Sequence, residues 1–385
     1  MPDVHAILSA SGAARWMNCP PSVMLEKKFP DKGSVYAEEG TLAHTLAEVR
    51  LRTEYEGKTA QWARTQLRSI RKSEYYTEEM EEHIDRYASL VAEAVNEAGK
   101  ICPDPKIMFE QRLDFSEYVP GGFGTGDVVI VADDMVQVID LKYGKGVPVS
   151  AEGNPQLRLY GIGALLEYQL LYDIRRVRMT IIQPRLDNIS TEELTAADLL
   201  HWAETDVAPK ARLAAAGEGE QAVGPWCQFC KASAVCRARA DYNLDLMRHE
   251  FKDPQLLEPD EIADILGRLP ELMSWAKGVG DYALSQALAG EHYEGWKVVE
   301  GVSRRKIEDQ AAAQTILSEA GYESEDFLKP AELKGITELT KLVGKKKLEE
   351  LIGEYIIKPE GKPVLVPSTD KRPELTRAED LKKEF

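Results

Sequence analysis

The chain has 385 residues, 43% of them apolar and 29% charged, which is enough for a sizeable core and two domains of ordinary globular composition. Its formal charge of −17 argues against a protein that coats nucleic acid non-specifically, yet leaves room for a local basic groove and a carboxylate-rich metal site. No apolar run approaches a membrane span and "MPDVHAILSASGAARW" lacks a signal-peptide layout, so a cytoplasmic protein with no membrane partner is expected.

In chain order, "SASGAARWMNCPPS" predicts a short helix capped by Ser9 or Ser11 and stopped by Pro20-Pro21. "AEEGTLAHTLAEVRLRTEY" predicts a helix bearing His44, and residues 75 to 99 a second one with periodic apolar positions. Between them Arg64, Arg68 and Arg71 recur at helical spacing; like Lys345 to Lys347 further on, they read as a solvated face or as phosphate contacts. Three strand-like runs follow, 106–115, 126–132 and 135–142, with Asp133-Asp134 as a tight hairpin between the last two. "NPQLRLYGIGALLEYQL" then reads as a helix with Pro155 in its first turn, "VRMTIIQPR" as a strand, and "TAADLLHWAETDVAPKARLAAA" as a helix. This order predicts an α/β fold with a mixed central sheet flanked by helices.

The character changes past Cys236. Residues 255 to 290 and 307 to 355 read as mainly helical, "GWKVVEG" as a short strand, and the Pro- and Lys-rich tail as extended. A boundary near residue 240 divides the chain into domains 1–240 and 241–385.

The chemistry concentrates in "QVIDLKYGKG". Asp140 and Lys142 stand two apart on a strand and so share a face. Burying both costs several kcal/mol unless each has a partner, so they read either as a structural ion pair or as a metal ligand beside a catalytic cation. Asp127, in "GTGDVVI", opens the neighbouring strand, and Glu110 lies on the strand before it. Carboxylates converging from adjacent strands repel unless a cation sits between them, and such hard oxygen ligands suit Mg²⁺ or Mn²⁺. Gln156 and Tyr160, at i and i+4, share a helix face, and His44 has an imidazole to offer the same place.

The order His, Glu, Gly-Asp, Asp-x-Lys, Gln-x-x-x-Tyr resembles the PD-(D/E)XK nuclease superfamily, specifically its RecB-like branch, over roughly residues 5 to 240. The resemblance implies a restriction-endonuclease-like core in which His44, Asp127 and Asp140 bind the metal, joined by Glu110, which matches a less uniform acid of the family. It implies that Lys142 is catalytic and that Gln156 and Tyr160 position the DNA or that lysine.

Of the five cysteines, Cys227, Cys230 and Cys236 crowd into "WCQFCKASAVC", while Cys19 stands far upstream before a proline. An odd count in a chain expected inside the cell argues against a disulfide framework. This layout resembles RecB-like nucleases that carry a [4Fe–4S] cluster, such as AddB-like and CRISPR-associated exonucleases. In those terms Cys19, Cys227, Cys230 and Cys236 are the cluster ligands, stapling the start of the domain to its end. Structural Zn²⁺ is the rival occupant of four thiolates. Cys102 fits no ligand pattern and reads as a free thiol.

The C-terminal third looks like that of phage-borne, uncharacterised RecB-like proteins, which implies work in phage replication or recombination beside other such proteins, in the host cytoplasm. "AELKGITELTKLVGKKKLEEL" reads as a small DNA-binding unit or as a helical packing domain. The expectation is therefore a Mg²⁺- or Mn²⁺-dependent deoxyribonuclease, an exonuclease acting on single strands or duplex ends. A homo-oligomeric ring would make it processive, but no ring contacts are legible. The alternative is a non-catalytic DNA-binding or assembly protein on a nuclease-like fold.

Overall fold

A computed structural model describes residues 6–30, 33, 35–245 and 259–298. Two compact units divide the chain at Val298 and Val299, and the description that follows is of the first. The helices expected over 307–355, Lys345 to Lys347 and the expected extended tail lie outside the described residues.

The centre is a five-stranded mixed sheet in sequence order: β1 (Lys106–Asp114), β2 (Phe123–Ala132), β3 (Met135–Leu141), β4 (Arg176–Gln183) and β5 (Asn188–Thr195). β1, β2 and β3 form an antiparallel meander, β4 joins β3 in parallel, and β5 returns antiparallel along the outer edge. Asp133, at φ 47°, turns the two-residue connection that closes Ala132 onto Met135, a left-handed conformation that Asp tolerates. The parallel step from β3 to β4 requires a crossover, which α6 (Pro155–Tyr168) supplies. Asn154 caps that helix, its side chain accepting from the amides of Gln156 and Leu157, and Pro155 fills the first position, where a missing N–H costs nothing.

Alternation along the strands divides two cores. Val129, Val131, Val136 and Val138 face a layer built from α1 (Ala13–Asn18), α6, α7 (Ala196–Trp202) and α8 (Ala208–Ala216). Val128, Ile130, Ile139 and Leu141 face the opposite layer, made by α3 (Val35–Tyr55), α4 (Ala60–Ile70) and α5 (Glu78–Ile101). Because both faces are covered, β3 is buried at every position. α5 is set by a Thr77 cap, acidic residues in its first turn and Lys100 in its last, and it buries Met80, Ile84, Tyr87 and Val91 at helical spacing.

Several expectations meet a different local answer. α1 has Gly12 rather than a serine at its cap, with Ser9 Oγ accepting from the Gly12 amide in the preceding turn. β5 was unforeseen, since "NISTEELT" is an edge strand whose residues are at most half-buried and which carries little apolar signal. Gly295–Val298, the described part of the expected strand "GWKVVEG", contains no strand. The expected division near residue 240 falls inside α9 (Arg237–Asp245), whose Arg239 pairs with Glu271 of α10 (Pro259–Leu288) at 2.5 Å. Among the described residues no helix is long and apolar enough to cross a membrane.

Candidate metal centre and its lysine

Antiparallel pairing fixes the acids. Val128 lies opposite Ile139, so the next rung outward sets Asp127 across from Asp140, and Phe109 opposite Val128 brings Glu110 level with Asp127. Glu110 departs from the ladder with φ 50°. For a side chain of this kind the left-handed region costs on the order of 1–3 kcal/mol and persists only when its surroundings hold it. Arg52 does so, donating to the Phe109 carbonyl at 3.1 Å while Glu48 and Glu56 grip its guanidinium at 2.7 Å each.

From α3, His44 Nδ1 reaches Asp127 Oδ1 at 3.2 Å, and the Leu141 amide donates to the other Asp127 oxygen at 2.6 Å. His44, Glu110 and Asp127 each offer a ligand atom within 4.8 Å of the others. One imidazole nitrogen and two carboxylate oxygens form a donor set that fits Mg²⁺ or Mn²⁺. The electrostatics of the trio follow from its burial and from the charges that face one another across it. Burial and the neighbouring Asp127 push Glu110 up to about 7. Burial opposes the charge on His44, but Asp127, Asp140 and Glu110 outweigh it and lift the imidazole to about 9. Burial likewise disfavours the Asp127 anion, but His44 and the Leu141 amide hold its pKa below the usual carboxylate value.

Asp140 is the fourth expected ligand, and it is buried, at 3% exposure. It stands beside this trio but turns to a second network. Lys142 Nζ lies 3.0 Å from Asp140 Oδ2 and donates to Gln156 Oε1 at 2.9 Å. Gln156 Nε2 donates in turn to Asp140 Oδ1 and Tyr160 Oη, both at 3.3 Å. Burial raises the Asp140 pKa against the pull of Lys142; burial also lowers that of Lys142, but Asp140 and Asp127 together leave it raised. The Tyr160 ring rests on Gly124, where an added Cβ would come within 2.5 Å of it. The first glycine of "GTGD" thus makes room for the far end of the Gln-x-x-x-Tyr pair.

Reading the residues alone missed four contributors. Glu48 and Arg52 follow His44 at successive i+4 positions on α3, a spacing visible in the sequence. Tyr87 lines the same recess from α5, and no local pattern marks it. Arg185 lies 4.7 Å over the Tyr143 ring beside Lys142 and pairs with Glu39 at 2.9 Å. Of the basic run, Arg64 and Arg68 are exposed and Arg71 pairs with Glu81 at 2.8 Å.

The cysteines sit in two segments that the fold draws together. Arg15 donates to the Phe229 carbonyl at 3.1 Å across 214 positions, and Glu26, paired with Arg15 at 2.8 Å, accepts from the Lys231 amide at 2.8 Å. Cys19 and Cys227 are buried, Cys230 and Cys236 half-buried, and the Gly224 amide points at Cys227 Sγ from 3.5 Å. No three of these sulfurs approach within 4.8 Å of one another, so they are not gathered as tightly as one bound ion requires. Burial pushes Cys230 up to about 11, which keeps it a thiol unless a cation displaces its proton. Cys102 caps α5, half-buried.

Among solved structures, one described as "Crystal structure of SSO0001" matches at 17% identity, covering 56% of this chain and 95% of that one with a TM-score of 0.24. The sequence profile of DUF2800, described as a protein of unknown function, matches residues 5–373. That span takes in the carboxylates, the lysine network and all five cysteines, and the chain belongs to the DUF2800 family.

Proposed function

We propose that this protein is a Mg²⁺- or Mn²⁺-dependent DNA nuclease with a PD-(D/E)XK core, acting as an exonuclease on phosphodiester bonds. The observation that carries the reading is the convergence of His44, Glu110 and Asp127 within 4.8 Å beside the Asp140–Lys142–Gln156 network. A divalent ion held there supplies Lewis acidity and a water of lowered pKa. The chain's own groups do the rest. Lys142 holds its charge close to the acids, where it can orient a water and offset charge on a phosphate oxygen. Gln156 fixes the lysine from behind, and Tyr160 fixes Gln156. Asp140 keeps the ammonium in place through the 3.0 Å pair.

Digestion of end-labelled single- and double-stranded DNA with Mn²⁺ tests this. Mn²⁺-dependent loss of label that disappears in Asp127→Asn supports it. Intact DNA under every condition, with DNA still bound, would instead leave a non-catalytic DNA-binding or assembly protein.

For the cysteines the proposal is a [4Fe–4S] cluster on Cys19, Cys227, Cys230 and Cys236. It is supported by their spacing and by the bonds from Arg15 and Glu26, on either side of Cys19, to residues 229–231. Protein purified without oxygen should be brown, with about four irons and four sulfides per chain. Colourless protein with one zinc per chain would assign the thiolates to a structural Zn²⁺.

A further inference from the structure

Tyr87 carries a polar atom that no described residue satisfies. Its side chain is fully buried on the inner face of α5, and its hydroxyl has no hydrogen-bond partner among the described residues. The surroundings are not simply greasy. With Ala47, Leu51 and Leu141, Tyr87 lines a small recess together with His44, Glu48, Glu110 and Asp127. Leaving a buried hydroxyl unpaired is destabilising, and phenylalanine would fill the same space without that cost. Other tyrosines nearby are partnered: Tyr76 donates to Glu81 at 2.7 Å, and Tyr160 accepts from Gln156 at 3.3 Å. Tyr87 thus keeps a buried hydroxyl in need of a partner, on a residue that walls the proposed ion site.

We propose that Tyr87 is a positioning residue whose hydroxyl holds a water of the hydration shell of a divalent ion bound by His44, Glu110 and Asp127. The inference rests on the metal reading above. Mg²⁺ and Mn²⁺ favour six ligands and keep several waters, so three protein donors leave hydration positions to be oriented. A group that orients such a water commonly changes metal affinity by about 10–100-fold when removed. The tyrosine comes from α5 and the ligands from α3, β1 and β2, so a fourth element contributes to the site.

The test uses the full chain and Mn²⁺ alone, with free Mn²⁺ followed by electron paramagnetic resonance and melting followed without metal. Wild type, Tyr87→Phe and Asp127→Asn are compared. The expected result is a Tyr87→Phe protein that melts at or above the wild-type temperature without metal yet binds Mn²⁺ about ten-fold more weakly. Wild-type Mn²⁺ affinity in Tyr87→Phe, with binding lost in Asp127→Asn, would overturn the role of Tyr87 and leave the ion site standing. Unchanged affinity in both variants would overturn the ion site along with it. A Tyr87→Phe protein that melts well below wild type would make the hydroxyl a structural group and overturn the proposal in another way.

Discussion

Lys142 is gripped by one carboxylate and one amide, and its side chain keeps about a quarter of its surface exposed. Truncating it should remove chemistry and leave the fold, because Asp140, whose pKa burial already raises and which still accepts from Gln156, can take up a proton in place of its lost partner. Lys142→Ala is expected to lose roughly 10²–10³-fold in cleavage rate, the scale of one lost charge-stabilising donor. Circular dichroism should stay at the wild-type spectrum; a variant that cuts at the wild-type rate would remove Lys142 from the reaction. His44 makes a prediction of a different kind. In the metal-free chain its pKa is raised from 6.5 to about 9, mainly by Asp127 acting against burial. The imidazolium–Asp127 pair accordingly contributes stability that is fully present below about pH 6.5 and is lost as pH rises through about 9. Melting with chelator should show wild type losing stability between those limits and His44→Gln losing less. Equal slopes would mean that the pair carries no net stability. Asp140 and Lys142 were legible as a pair because a strand's period of two puts them on one face. Tyr87 was not, because only the packing of α5 brings it to acids that arrive from other elements.

At the scale of elements, the site depends on a close approach between β2 and α6. Gly124 admits the Tyr160 ring at a distance no side chain would allow. Gly124→Ala should cost about 1–3 kcal/mol and weaken cleavage, because Tyr160 must move and Gln156 loses a contact that aligns it on Lys142. Denaturant melts alongside rates would show this, and an unchanged midpoint would mean that the ring relocates freely. The glycine's place in "GTGD" was readable, but its reason was not, since the ring it accommodates lies 36 positions later. β1 to β3 and α6 were legible through alternation and an apolar run between turn residues. β5 was not, because an edge strand with one wet face and Glu192 and Glu193 in its middle resembles a loop. Those acids are occupied: Arg158 holds Glu192 at 2.5 Å, and Arg178 holds Glu193 at 2.8 Å. The left-handed Glu110 had no signature at all, because Arg52, which bonds the carbonyl just before it, lies on another element 57 residues from Phe109.

For the molecule as a whole, the bonds from Arg15 and Glu26 to residues 229–231 close a loop of more than two hundred residues. If the four cysteines share one cofactor, Cys19→Ser breaks that closure while Cys102→Ser touches only the end of α5. Cys19→Ser should lower the melting temperature by several degrees, and Cys102→Ser should stay within about a degree or two of wild type. Equal melting of the two would count against the grouping. The spacing of the cysteines was legible in the sequence. The physical bridge between their segments was not, because it is made by Arg15 and Glu26, ordinary charged residues with no motif.

The layer beneath the sheet has a consequence for how the protein is made. Trp16 is buried among residues of α6, α7 and α8, the last of which ends at Ala216. A ribosome that adds about 5–20 residues per second needs on the order of ten seconds or more to deliver those partners. Until α8 emerges the indole and its neighbours on α1 lack part of the surface they bury against, although the helices and strands bearing His44, Glu110, Asp127 and Lys142 have already been made. The nascent chain therefore carries every residue of its acidic site before the seat of its first helix is complete.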